Sequence, residues 1–100
     1  MVLKDPSPLI SFQSLSKLVI QIETAIEQLE TNPFVGKPLG YKFFREKKVK
    51  NYRIYYLIYE DYIVTFIIAI SSKKDQQEAI DKIKNLIPYY REEIKRKLNL

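Results

Sequence analysis

Three residue types that carry much of protein chemistry are missing from this 100-residue chain: cysteine, histidine and tryptophan. Without cysteine and histidine there is no zinc site of the usual kind, no disulfide, no catalytic thiol and no Ser-His-Asp triad. Glycine occurs only as Gly36 and Gly40, so a glycine-rich phosphate loop is excluded as well. Any chemistry must come from lysine, arginine, tyrosine, carboxylate or hydroxyl groups, and we expect no metal and no cofactor.

Long hydrophobic runs are also missing. The longest strongly apolar stretch, Ile63 to Ile70, is far below the roughly 20 residues that a membrane helix needs. The first ten residues are interrupted by Pro6 and Pro8 and do not have the form of a signal peptide. We therefore expect a soluble, cytoplasmic protein without a membrane partner, which the lack of cysteine also fits.

The residues that are present provide enough apolar material for one small core. Hydrophobic residues make up 46% of the chain and charged residues 29%, which is too hydrophobic for a disordered protein. A chain of this length is expected to form a single domain, here 1–100.

The first part of the chain has the spacing of a helix. From Ser14 to Thr31, apolar residues recur at steps of three and four, which is typical of one face of an amphipathic helix. The lead-in from Pro6 to Phe12 is either a second short helix or an extended segment. We place the N-terminal helical region at 6–32, because Asn32-Pro33 is unfavourable for continuing a helix.

The middle of the chain, 41–71, has the spacing of a sheet and follows a loop at 33–41. Three strands are predicted, over residues 42–49, 52–59 and 62–70. Short turns join them, so they would form an antiparallel meander, and a short extra N-terminal strand is left open.

Helical spacing returns after the sheet and predicts a C-terminal helical region at 75–98. Pro88 interrupts the pattern and predicts a kink or two helices in series. The last stretch, 91–100, is highly charged and is expected to project from the body. The fold class is therefore α+β, with N-terminal helices packed on a small antiparallel sheet and a C-terminal helix.

Positive charge is concentrated in one predicted hairpin. The whole chain has a net charge of +5, and residues 41–53 alone also carry +5. The basic residues of this hairpin are Lys42, Arg45, Lys47, Lys48, Lys50 and Arg53. Such a segment suits phosphate binding, and its interleaved aromatic residues could stack on unpaired bases. The alternative is a merely solvated hairpin whose lysines protect an edge from aggregation.

Two further lysines are expected beside this hairpin. Lys73 and Lys74 follow the third predicted strand. In an antiparallel meander, the end of the third strand lies beside the start of the second. This topology places Lys73 close to Arg53 and extends the basic surface.

The order of these segments resembles the RelE/ParE superfamily of toxins from type II toxin–antitoxin systems. The resemblance covers roughly residues 20–83, and its motif residues are Leu29 to Pro33, Gly36, Leu39 and Tyr52 to Tyr56. It implies a RelE-like mRNA endoribonuclease, a metal-independent hydrolase on the ribosome in which a 2′-hydroxyl attacks the adjacent phosphate. It also implies a cognate antitoxin as partner and leaves a homodimer open. The alternatives are a ParE-like inhibitor of DNA gyrase and a catalytically impaired module that binds RNA or protein.

The resemblance also implies roles for individual basic residues. Arg53 matches the strand arginine that contacts the scissile phosphate, and Lys48 and Lys73 are its predicted catalytic companions. The predicted nucleic-acid-binding residues are Arg45, Lys47, Lys50, Lys74 and Tyr52.

The group that would transfer protons is not settled by the resemblance. The C-terminal Tyr or His-Tyr of the family is absent, and the corresponding region reads DQQEA at 75–79. The candidates to stand in are Lys47, Lys48, Glu46 and Tyr52. Gln76 and Gln77 either lie beside the basic cleft or only open a helix. Whether the chain is an enzyme is therefore left open by the sequence.

Overall fold

The computed structural model of this protein describes residues 1–4 and 16–100. Its strands are β1 (Val2–Lys4), β2 (Lys37–Tyr41), β3 (Phe44–Val49), β4 (Tyr52–Tyr59) and β5 (Val64–Ser72). Its helices are α1 (Ser16–Thr31) and α2 (Gln76–Lys97). Short 3-10 turns lie at Pro33–Val35, Glu60–Tyr62 and Lys73–Asp75. No described helix is both long and apolar enough to cross a membrane.

All five strands belong to one mixed sheet with the order β1-β5-β4-β3-β2. The predicted meander corresponds to β3, β4 and β5, but the prediction of three strands with an optional fourth was wrong. β2 lies in the segment that was predicted to be a loop, since it contains Pro38 and Gly40. An edge strand tolerates these residues because its outer side has no ladder to complete. The short N-terminal strand is present as β1, parallel to β5.

The described N-terminal region contains one helix, so the expectation of several was wrong for residues 16–32. α1 packs on one face of the sheet through Ile22, Ala25 and Leu29. It ends where Asn32 begins the next turn by accepting a hydrogen bond from the Phe34 N–H at 3.2 Å. The predicted helix start at Ser14 and the lead-in from Pro6 to Phe12 lie outside the described residues.

α2 covers the opposite face of the sheet as one continuous helix, not as two helices in series. Pro88 lies inside it on the exposed side. The carbonyl of Lys84, which loses its N–H partner there, belongs to an exposed residue and can be met by water. The expectation that residues 91–100 project was also wrong, because Ile94 is fully buried and Leu98 packs against the core.

Candidate functional site

A polar cavity of about 530 Å³ opens near the turn that joins β3 to β4. Three parts of the chain meet there: the β3–β4 hairpin, the segment around the start of β2, and the first residue of α2. The lining residues are Val35, Gly36, Lys37, Glu46, Lys47, Lys48, Arg53 and Gln76. Four of these are basic and one is acidic, so the cavity favours anions.

Glu46 and Arg53 form the buried centre of this cavity. Their exposures are 5% and 7%, and Arg53 Nε lies 3.7 Å from Glu46 Oε2. Arg53 Nη1 donates to the carbonyl oxygens of Tyr52 at 3.0 Å and Lys50 at 3.4 Å. A buried pair of this kind pays a large desolvation cost, and removing one partner leaves the other charge uncompensated. Because the Lys50 and Tyr52 carbonyls of the hairpin accept hydrogen bonds from Arg53, the hairpin helps to hold the guanidinium beside the carboxylate.

The N-terminus of α2 holds Glu46 from the other side. Gln76 Nε2 donates to Glu46 Oε1 at 2.9 Å and to Oε2 at 2.8 Å. The next residue, Gln77, instead bonds to Asp81 Oδ1 at 2.9 Å on the exposed side of the helix. Of the two glutamines that the sequence could not separate, Gln76 lies in the site and Gln77 does not.

A pair of hydroxyl groups continues this buried polar network. In the sheet register Tyr55 lies opposite Glu46, and Ser71 lies opposite Arg53. The Tyr55 and Ser71 hydroxyl oxygens are 2.7 Å apart. Burial raises the pKa of the Tyr55 hydroxyl, so it stays neutral near pH 7 and does not act as a base.

Two predicted site residues border the cavity beside this centre. Lys48 pairs with Arg53 in the β3–β4 register, lies on the same face and is exposed. Lys47 also lines the cavity, although strand alternation assigns its side chain to the opposite face. Lys37, which was not predicted as a site residue, joins them from β2 because it pairs with Glu46. The sequence analysis missed Lys37 because it predicted a loop where the structure has β2, the strand that carries this residue.

Arg45 has a different place from the one predicted. Its Nη1 donates to the carbonyl oxygens of Phe34 at 3.1 Å and Gly36 at 2.7 Å, and its Nε donates to Lys42 O at 2.8 Å. Its guanidinium also lies 5.1 Å from the centre of the Phe34 ring. These contacts fasten the segment before β2, and Arg45 does not line the cavity.

The remaining predicted residues surround the hairpin turn. The Lys73 N–H donates to the Asn51 carbonyl at 2.7 Å, which brings Lys73 beside the hairpin as the topology predicts. Lys50, Lys73 and Lys74 are exposed there, and Tyr52 is half-buried at the start of β4. They extend the basic surface around the cavity without lining it.

The segment with the Asn-Pro and glycine motif forms one wall of the cavity. Tyr56 Oη donates to the Pro33 carbonyl at 2.8 Å and accepts the Gly36 N–H at 3.0 Å. A Cβ on Gly36 would collide with Tyr56 Oη and would lie 2.5 Å from the Glu46 carbonyl oxygen. The glycine is therefore required by the close approach of this loop to β3.

A second cavity of about 450 Å³ lies at the opposite end of β4. Its apolar walls include Phe34, Phe43, Ile58 and Ile87. Asp61 and Arg91 already pair there at 2.6 Å, and the buried Tyr59 hydroxyl has no hydrogen-bond partner among the described residues. The second cavity also holds charged groups, two basic and two acidic: Lys42, Arg91, Glu60 and Asp61. The polar cavity instead has four basic side chains around one carboxylate, and this excess of positive charge is why we place the candidate site there.

The chemistry available in the polar cavity follows from the side chains that line it. Its guanidinium and ammonium groups suit a phosphoryl oxygen, and the Glu46 carboxylate belongs to a group type that can act as a general base. Within residues 1–4 and 16–100, no cluster of three or more metal-ligating side chains is present. The groups that line the cavity offer acid–base and electrostatic chemistry.

Comparisons with known proteins agree with each other on the fold. A family model described as the ParE toxin of type II toxin–antitoxin systems, parDE, matches residues 16–77. The isolated E. coli RelE toxin is 20% identical, with a TM-score of 0.61 over 82% of this chain and 96% of that chain.

Two other E. coli structures are similar. A chain of the intact E. coli RelBE toxin–antitoxin complex is 20% identical, with a TM-score of 0.60 over 71% of this chain and 93% of that chain. A doubly substituted E. coli RelE in the free state is 16% identical, with a TM-score of 0.64 over 85% and 95%. At such identities the likeness concerns the fold, and no curated protein sequence matches the chain.

Proposed function

Because the chain belongs to the ParE toxin family of type II toxin–antitoxin systems, we propose that it is a toxin that cleaves mRNA in the manner of RelE. The family membership supports the toxin assignment, and the cleavage of ribosome-bound mRNA is the proposal. The observation that carries it is the buried Glu46–Arg53 pair inside a cavity whose other charged walls are lysines.

Each charged group of the cavity has a role in the proposed reaction. Glu46 accepts the proton of the RNA 2′-hydroxyl, and O2′ attacks the adjacent phosphorus to form a 2′,3′-cyclic phosphate. Arg53 stabilises the negative charge that develops on the phosphoryl oxygens. Lys48 donates a proton to the departing 5′ oxygen. Lys73, beside the turn, extends the surface that attracts the RNA backbone.

The proposed protein partner is a cognate antitoxin. One of the similar structures is a chain of the intact E. coli RelBE toxin–antitoxin complex. An acidic or amphipathic segment would complement the net charge of +5 and could cover the basic cavity.

Inhibition of DNA gyrase is the second candidate function. Two observations favour it: the matching family model is that of ParE, and Arg53 is already paired with Glu46 instead of standing ready for a phosphate. In this alternative the toxin acts by binding and the cavity performs no chemistry.

Primer extension on a message in a reconstituted translation reaction distinguishes the two functions. We expect new cuts within the ribosomal A-site codon with the wild type and none with Arg53→Ala or Glu46→Gln, because each variant lacks one partner of the catalytic pair. A thermal melt checks that both variants fold.

The matched control is Lys82→Ala, which removes an exposed lysine that pairs with Glu78 on α2, outside the cavity. We expect it to cut like the wild type. An intact message with the wild type, together with inhibition of gyrase supercoiling in a parallel assay, would reject the ribonuclease and establish the second candidate.

A further inference from the structure

Gln76 is tied to the Glu46 carboxylate more closely than Arg53 is. Among the described residues, both hydrogen bonds to this carboxylate come from Gln76 Nε2, at 2.9 and 2.8 Å. The 3.7 Å between Arg53 Nε and Glu46 Oε2 is an ion-pair distance and too long for a hydrogen bond. Arg53 Nη1 donates to backbone carbonyls instead. The orientation of the carboxylate is therefore set by Gln76.

The position of Gln76 is fixed by the elements around it. It is the first residue of α2, and its own N–H donates to the Lys73 carbonyl in the preceding turn. Ala79, Ile80 and Ile83 bury the next turns of the helix against the sheet. A side chain mounted on such a rigid element can hold a reactive group in one geometry.

We propose that Gln76 is a positioning residue for Glu46. Its amide donates to both carboxylate oxygens and keeps the carboxylate in one orientation, from which it can take a proton from the RNA. A carboxylate is only an acceptor when ionised, so an amide N–H₂ is a matching partner. This inference rests on the proposed function, because general-base catalysis is where the orientation of Glu46 matters.

The test compares single-turnover cleavage and RNA binding in Gln76→Ala and Gln76→Glu. Both variants lack the amide donor, and the second keeps the length of the side chain and its helix preference. We expect the cleavage rate constant to fall about 10-fold to 100-fold, as for other small misplacements of reacting groups. For Gln76→Ala, which does not change the charge of the cavity, we expect the affinity for 2′-O-methyl RNA, which lacks the attacking hydroxyl, to stay near the wild-type value.

Gln77→Ala is the matched control, since it removes the same amide from the neighbouring residue on the exposed side of the helix. We expect it to cleave like the wild type. The positioning role is overturned if Gln76→Ala also cleaves like the wild type. It is equally overturned if cleavage and binding fall in parallel, because that result would indicate a substrate contact or a loss of folding.

An NMR measurement separates this inference from the proposed function. If the wild type leaves RNA intact, the proposed function fails, but the hydrogen bonds between Gln76 and Glu46 can still be tested. The side-chain carboxyl ¹³C signal of Glu46 should move in Gln76→Ala and remain in place in Gln77→Ala. An unchanged signal in Gln76→Ala would overturn the inference independently of any activity.

Discussion

At the scale of single residues, strand alternation decides what each basic side chain does. Arg45 and Arg53 lie in adjacent strands and have the same chemistry, yet they belong to opposite faces of the sheet. Arg53 meets Glu46 in the polar cavity, whereas Arg45 fastens the segment before β2. Because a shift of one residue sends a side chain to the other face, a charge count along the sequence cannot assign these roles.

Gly36 gives a prediction at the same scale. Replacing it with alanine places a methyl group against Tyr56 Oη and the Glu46 carbonyl. We expect Gly36→Ala to lower the free energy of unfolding by about 2–4 kcal/mol, since backbone and a buried side chain would have to shift. Urea denaturation measures this loss.

Tyr56→Phe supplies the control for Gly36→Ala. It removes the hydroxyl that the new methyl group would strike, together with the hydrogen bonds to Pro33 and Gly36. The double variant should therefore be less destabilised than the sum of the two single variants. Stability of Gly36→Ala within about 0.5 kcal/mol of the wild type would contradict the close approach of this loop.

At the scale of elements, α2 is a single continuous helix although its sequence contains a proline that predicts a kink or a break. Pro88 predicts an interruption, but the helix continues because its buried residues Ile83, Tyr90 and Ile94 lie on both sides of the proline. Burial on the sheet stabilises the helix through a position that its local sequence disfavours. Its N-terminus is thereby kept at the polar cavity, where Gln76 contacts Glu46.

Pro88→Ala tests this account of α2. The substitution restores an N–H that can donate to the Lys84 carbonyl and removes the clash of the proline ring with that carbonyl. We expect the free energy of unfolding to rise by about 1–3 kcal/mol. Asn85→Ala, on the same exposed side, should give only the helix-propensity gain of about 0.5 kcal/mol. Equal stability of Pro88→Ala and the wild type would show that the proline costs the helix nothing.

At the scale of the whole molecule, the sheet separates two apolar cores and leaves the polar cavity at one end of the α2 face. The net charge of +5 equals the charge of residues 41–53, and the basic hairpin is the densest concentration of positive charge in the sequence. Lys37, Lys48 and Lys73 reach this end from β2, β3 and the turn before α2. The resulting surface should bind RNA mainly through its phosphates.

Salt dependence tests this electrostatic surface. For wild-type protein and 2′-O-methyl RNA, three to five phosphate contacts predict a slope of about −2 to −4 in a plot of log K against log salt. Fluorescence anisotropy measures the slope, and Lys48→Ala should reduce it by about 0.7. Lys82→Ala, outside the cavity, should leave it unchanged. A wild-type slope near zero would exclude a phosphate-binding role for the hairpin.

Local periodicity and turn chemistry were sufficient to predict the α+β class, the β3–β4–β5 meander, the end of α1 and the clustering of charge. The order and spacing of the short sequence motifs were also sufficient to identify the toxin superfamily. Only long-range contacts make β2 a strand, keep α2 continuous and bring Gln76 to Glu46, which lies 30 residues away in the chain. These features depend on strand pairing and helix packing between distant segments, and such contacts leave no period in the sequence that could reveal them.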